Sequence, residues 1–301
     1  MRLHNTLPAL ALVTLISAPA WGQDQSGTLK KIQETGTITL GHRDSSIPFS
    51  YYDDRQQVVG YAMDLCYRIV DGVKQHLKLP KLEVKLNPVT SATRIPLMAN
   101  GTIDLECGST TNNLERQKQV AFTITHFVTA NRFVAKKSAN LKTVDDLKGR
   151  TIVSTSGTTN IKQITEIAAQ KGLNLNILAA KDHAEAFLMV ETGRAAAFVM
   201  DDILLYSLVA NAKAPQDYVI SADALSVEPY GIMLRREDAP FKKVVDEAMV
   251  ATYRSGAING IYEKWFLKPI PPKNINLNVP VSDAFKKVIA NPTDSGDPAV
   301  Y

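Results

Sequence analysis

The sequence predicts an α/β protein of two domains, and three observations carry that prediction. Short apolar strands are followed repeatedly by amphipathic helices. Polar residues fall at the carboxyl ends of those strands, where sites collect in open α/β sheets. A pattern of strand, hydroxyl-rich loop and helix start occurs around residues 90–120 and again from Thr143 onward. The length agrees, since 301 residues, 45% of them hydrophobic, exceed what one core is expected to hold.

Residues 1–22 read as a cleaved secretory signal, with Arg2 as the positive start, an apolar run over 7–16, and small residues at Ala18, Ala20 and Gly22. Residues 28–34 read as a brief helix stopped by Gly36. Ile38 and Leu40 then alternate with threonine as a strand, leaving Arg43 just past its end. Residues 49–52 and 58–61 flank DDRQQ as a hairpin, and Ala62, Leu65, Cys66, Ile69, Val70, Val73 and Leu77 repeat with helical spacing. Leu82, Val84 and Leu86 form the next strand. The 90–120 stretch then offers a Ser/Thr-capped helix carrying Arg94, a Gly turn, a strand over 103–107, a loop with Ser109, Thr110 and Thr111, and a helix start carrying Arg116. Hydroxyls, free backbone N–H groups, a helix dipole and two guanidinium forks in one place suit an anion.

In the second block Thr143 caps a short helix ending at Gly149, a strand covers 152–154, and SGTTN opens a helix along Ile161, Ile164 and Ile167. A strand over 174–178 leads to Asp182 as an N-cap with His183 just inside the helix, and GRAAAFVMDD is a strand ending at Asp201 and Asp202. Strands follow at 218–221 and 230–234, then a helix capped by Asp238 and another through Ile258, Ile261 and Trp265. The Pro-rich tail from Pro269 is expected on the surface, with its last ten residues disordered.

The net charge of +4 comes from 34 basic and 30 acidic residues interspersed along the chain, which gives no nucleic-acid footprint. Five histidines without ligand spacing imply no metal. The chain shows no nucleophile elbow, P-loop or dinucleotide fingerprint, so no cofactor is expected. Cys66 on a helix face and Cys107 at a strand end could bridge or remain buried thiols. Were the strand-end residues to face one crevice, Arg43, Arg94 and Arg116 would set three positive charges against Asp201. That surplus of two matches a ligand with two carboxylates and one ammonium, and favours an acidic amino acid over glutamine.

The segments GHRDSSIPFSYY, GYAMDLC, TRIPLMANGTIDLECGSTTNNLERQKQV, TSGTT, AKDH, MDD, EKWF and PIPPKN, in that order, resemble the periplasmic glutamate/aspartate-binding proteins of ABC-type uptake systems, within solute-binding protein family 3. The resemblance implies a two-lobe periplasmic binding protein type II fold with a ligand cleft between lobes. Lobe 1 would comprise residues 28–127 plus 229–269 and lobe 2 residues 131–227, with 270–301 packed on lobe 1 and hinges near 128–130 and 226–228. It makes Arg94 the fork for the ligand α-carboxylate with Ser109, Thr111 and Thr159, Asp201 the acceptor of the ammonium, and Arg43, Ser91, Arg116, Thr158 and His183 the set around the distal carboxylate. If His183 touches that carboxylate, affinity should weaken as pH rises past the imidazole pKa. The expected partners are L-glutamate or L-aspartate and inner-membrane permease subunits. A monomer is expected, and a dehydratase-like enzyme on the same fold is the alternative.

Overall fold

The computed structural model describes residues 27–301, so the signal segment expected at 1–22 lies outside the described residues. Two sheets organise the chain. The first has five strands in the order Glu83–Pro88, Thr37–His42, Leu105–Glu106, Met233–Arg235 and Val120–Phe122. Its first three run parallel, and the returning Met233–Arg235 strand pairs antiparallel with both neighbours. The second has Asn176–Ala180, Thr151–Thr155, Ala197–Asp201, Phe127–Lys136 and Tyr218–Ile220, with Ser226–Tyr230 also paired to the long strand. Again three strands run parallel before the antiparallel one.

The long strand joins the halves. Its first five residues pair with Ser226–Tyr230, so that Val227 lies opposite Ala130 and Glu228 opposite Thr129, and its far end pairs with Tyr218–Ile220. Two antiparallel segments therefore carry the chain from the first sheet to the second and back. The sequence alone predicted no strand here, only the hinge expected near 128–130.

Helices cover the sheets for the expected reason. Tyr61–His76 buries Leu65, Cys66, Ile69 and Val73 on one face, and Gly72 lets it cross Ala239–Arg254 closely, since a Cβ there would lie 2.7 Å from Ala248 Cβ. Asp238 caps that second helix at Phe241 N and also accepts from Thr28 N, tying the Thr28–Thr35 helix to Ala239–Arg254. Phe49, Phe127, Tyr230 and Phe266 form an aromatic cluster beneath the cleft, with Phe49 and Tyr230 centroids 5.1 Å apart and Phe127 and Phe266 4.9 Å apart.

Four expectations need correction. Arg116 opens a three-residue 3-10 turn, Arg116–Lys118, rather than a helix. Asp202–Asn211 is a helix that the sequence did not announce, being apolar on nearly every side. The tail contains the helix Asp283–Ala290, capped by Ser282 and burying Phe285 and Val288. Its last residues, expected to be disordered, are tied down: Thr125 N donates to Thr293 O at 2.8 Å, Asn112 Nδ2 to Asp294 O at 2.9 Å, and the Tyr301 and Thr125 hydroxyls lie 2.7 Å apart. Cys66 and Cys107 are joined in a disulfide across 6.2 Å between Cα atoms. Among the described residues no helix is long and apolar enough to cross a membrane.

Candidate functional site

The parallel strands of both halves end at one cleft. On the first wall Arg94 is buried, 2% exposed. Its Nη1 donates to Thr110 Oγ1 at 2.5 Å and Ser109 O at 3.2 Å, and the Thr110 hydroxyl in turn donates to Glu106 Oε2 at 2.5 Å. Its Nε is buried without a partner among the described residues. Arg43 is equally buried; its Nη2 donates to Ser91 Oγ at 2.9 Å, and its Nη1 has no partner among the described residues. Ser109 Oγ is a third such group.

On the second wall Thr158 caps the helix Thr159–Lys171, accepting from Ile161 N while its hydroxyl donates to Thr155 O at 2.7 Å. The positive end of that helix points into the cleft. Asp201 ends its strand buried, taking Asn160 Nδ2 at 2.7 Å on one oxygen and the Tyr230 hydroxyl on the other. His183 Nδ1 lies 2.8 Å from Thr155 Oγ1, and Nε2 has no partner among the described residues; if the Thr155 hydroxyl donates, the ring proton sits on Nε2.

Eight of the ten residues singled out in the sequence line one cavity of about 10 Å³: Ser91, Arg94, Ser109 and Thr111 on the first wall, Thr158, Thr159, His183 and Asp201 on the second. The other two stand behind the lining. Arg43 reaches it through Ser91. Arg116 spends Nη1 on Thr111 O at 2.8 Å and Nη2 on Gly157 O at 3.2 Å, bridging the walls rather than facing the cavity.

The structure adds residues that the sequence did not flag. Asn160, Met200 and Leu204 complete the lining. Asn160 was within reach, as the last letter of the SGTTN segment. Glu106 and Glu228 are buried to 0% and 1% exposure. Glu228 accepts from Thr159 Oγ1 at 3.1 Å and Gln163 Nε2 at 2.7 Å. The expected surplus of two guanidiniums over acids is thereby corrected: three guanidiniums meet three carboxyl groups, two of which lay hidden inside strands.

The electrostatics differ between walls. Burial, together with the neighbouring Arg94, pushes Arg43 down to about 10 and Arg116 to about 9, and Arg94 is also lowered by burial; all three stay cationic at neutral pH. Burial and the nearby Glu228 raise Asp201 to about 7, against its two hydrogen bonds. Burial, then Arg43 and Arg94, hold His183 well below the ordinary imidazole value. That lowering favours the neutral ring, whereas the pH dependence expected of His183 concerns the ring beside a bound carboxylate. Among the described residues no three His, Cys, Asp or Glu side chains gather as a metal site.

With this geometry in view, the comparisons are specific. The family model of bacterial extracellular solute-binding proteins, family 3, matches residues 38–268. The chain belongs to that family. It is 54% identical over 296 residues to the L-glutamate/L-aspartate-binding protein of Pseudomonas aeruginosa, covering 98% of each chain. It is 45% identical over 298 residues to the glutamate/aspartate import solute-binding protein of Escherichia coli, covering 98% of this chain and 99% of the other. Among solved structures it resembles holo ArgBP from T. maritima, with TM-score 0.65 and 27% identity over 78% of this chain and 98% of that one. In this family member the two sheets are the cores of the two lobes, and the cleft between them is the type II arrangement.

Proposed function

We propose that this protein is exported to the periplasm, closes its two lobes around L-glutamate or L-aspartate, and delivers it to the inner-membrane permease of an ABC importer. The supporting observation is the set of buried polar groups without partners among the described residues, at the cavity and just behind it: Arg94 Nε, Ser109 Oγ, His183 Nε2 and Arg43 Nη1, with Asp201 also in the lining. A buried donor left unpaired costs roughly 1–3 kcal/mol, so a guest bearing carboxylates on both sides gains most by entering. The names of the Pseudomonas and Escherichia relatives support the same ligand, and the second supports import.

In this proposal Arg94, Ser109, Thr111 and the start of the Thr159 helix hold the α-carboxylate, and Asp201 takes the ammonium. Ser91, Arg43, Thr158 and His183 surround the distal carboxylate, with Arg116 acting through Thr111. A glutamine amide would turn its own N–H₂ toward donors, leaving them unsatisfied. We place lobe 1 at 28–127 plus 229–269, lobe 2 at 131–227 and the 270–301 extension on lobe 1, following sheet membership and the contacts of the tail. The protein acts as a monomer without nucleic acid. We assign no catalytic residue, since the acid in the cleft, Asp201, is held at both oxygens by Asn160 and Tyr230.

Calorimetric titration of refolded, ligand-free protein with L-glutamate, L-aspartate, L-glutamine and succinate tests this. The first two should bind at micromolar or tighter, about 8 kcal/mol, and the others far more weakly. Succinate binding in preference to glutamate would remove the role given to Asp201. Glutamine matching glutamate would remove the acidic ligand.

A further inference from the structure

We propose that Gly157 is the contact that sets how tightly the lobes close, and hence the binding affinity, because its missing side chain lets the second lobe seat on the backbone of the first. This rests on the proposed capture by closure.

Gly157 immediately precedes Thr158 and Thr159 at the start of the cleft helix, and its φ is +77°. A Cβ there would lie 2.6 Å from Ala92 Cα and 2.7 Å from both Ala92 N and Ser91 O. These are backbone atoms of the opposite wall, next to the cavity-lining Ser91, and they cannot swing aside as a side chain would. The carbonyl of the same glycine accepts Arg116 Nη2 at 3.2 Å from across the cleft, while Arg116 Nη1 is anchored to Thr111 O on its own lobe. Farther along the rim Lys162 pairs with Glu115 between the lobes. The approach at Gly157 therefore decides how near the helix start comes to Ser91 and Arg94. Gly149 supplies the contrast: it too has positive φ, +70°, yet a Cβ there would meet nothing within 4 Å. Backbone conformation alone demands glycine at 149, whereas at 157 the opposing lobe demands it as well. A side chain at 157 would lower the fraction of molecules able to close, and apparent affinity falls with that fraction.

The test begins by titrating L-glutamate, then the other common L-amino acids, into the wild-type protein, and carries the tightest binder forward. Gly157→Ala should weaken that ligand at least tenfold, and Gly149→Ala less than twofold, with similar ligand-free melting temperatures. Gly157→Asn, whose side chain tolerates the left-handed backbone better, should lose at least as much affinity as Gly157→Ala, and it carries the test should Gly157→Ala not fold. Wild-type affinity in both position-157 variants, or equal weakening at 149 and 157, would overturn the inference. If the wild type takes another amino acid but not glutamate, the acidic-ligand proposal falls while the comparison of 157 with 149 still decides this one. Binding of no amino acid would overturn both.

Discussion

The two walls of the cleft recognise charge by different means. The first wall holds permanent cations, Arg43 and Arg94, buried with Glu106 as a counter-charge to which Arg94 is linked through Thr110. It is also covalently stiffened, since the Cys66–Cys107 disulfide ties the first long helix to the segment that leads into Ser109. The second wall holds a helix start and two groups whose protonation burial has moved in opposite senses, Asp201 upward and His183 downward. In the proposed binding mode the guanidiniums that meet carboxylates lie on the wall whose charge does not change with pH, and the acceptor for the ammonium lies on the wall where it does.

The largest expected effect breaks the stiff wall. The disulfide closes a sequence separation of 41 residues, for which loop-closure entropy gives about 4 kcal/mol. The double variant Cys66→Ser, Cys107→Ala should therefore lower the denaturation midpoint markedly in urea. An unchanged midpoint would mean that lobe 1 owes its rigidity to packing alone. Next comes Arg94→Lys, which keeps the charge and loses the fork. Breaking one side of a buried, hydrogen-bonded charge pair costs roughly 3 kcal/mol, more than a hundredfold in glutamate affinity by calorimetry. A loss below fivefold would show that point charge suffices on this wall.

The sequence made much of this contrast legible and concealed the rest for identifiable reasons. Arg43 and Asp201 lie at the ends of parallel strands and Arg94 opens the helix after one, so the clustering of polar groups at each sheet's edge was readable, while the meeting of the two sheets' edges at one cleft was not. Glu106 was not, because a glutamate beside Leu105 and Cys107 reads as one polar letter in a buried strand, and only the fold puts Arg94 and Thr110 over it. Glu228 was missed because its strand is specified by pairing with Phe127–Lys136, a contact distant in sequence. The Asp202–Asn211 helix lacks a polar face, and the Asp283–Ala290 helix follows a Pro-rich lead that masks its Ser282 cap. The disulfide depended on a distance that no spacing supplies.

A medium effect sharpens the second wall through pH. Asp201 must be ionised to take an ammonium, and without ligand it protonates at about 7. Below that value binding has to expel a proton, so glutamate affinity should fall as pH falls, approaching about tenfold per unit, and level off above it. Calorimetry near pH 6 in buffers of different ionisation enthalpy should detect proton release. Proton uptake would instead assign the linkage to His183, charging as a carboxylate arrives, and would reverse the roles on this wall.

The smallest effect isolates His183. Burial favours its neutral imidazole, and a Thr155 hydroxyl donating to Nδ1 would leave one N–H at the unpartnered Nε2. A neutral donor contributes about 1 kcal/mol net, so His183→Ala should weaken glutamate about fivefold. The loss should hardly vary between pH 6.5 and 8.5, because no charge is removed with the ring. A loss that grows as pH falls through 6.5 would mean that the ring binds as imidazolium, and that the ligand overcomes the repulsion of Arg43 and Arg94. The second wall would then share the cationic character of the first, and specificity for two carboxylates would come from both lobes equally.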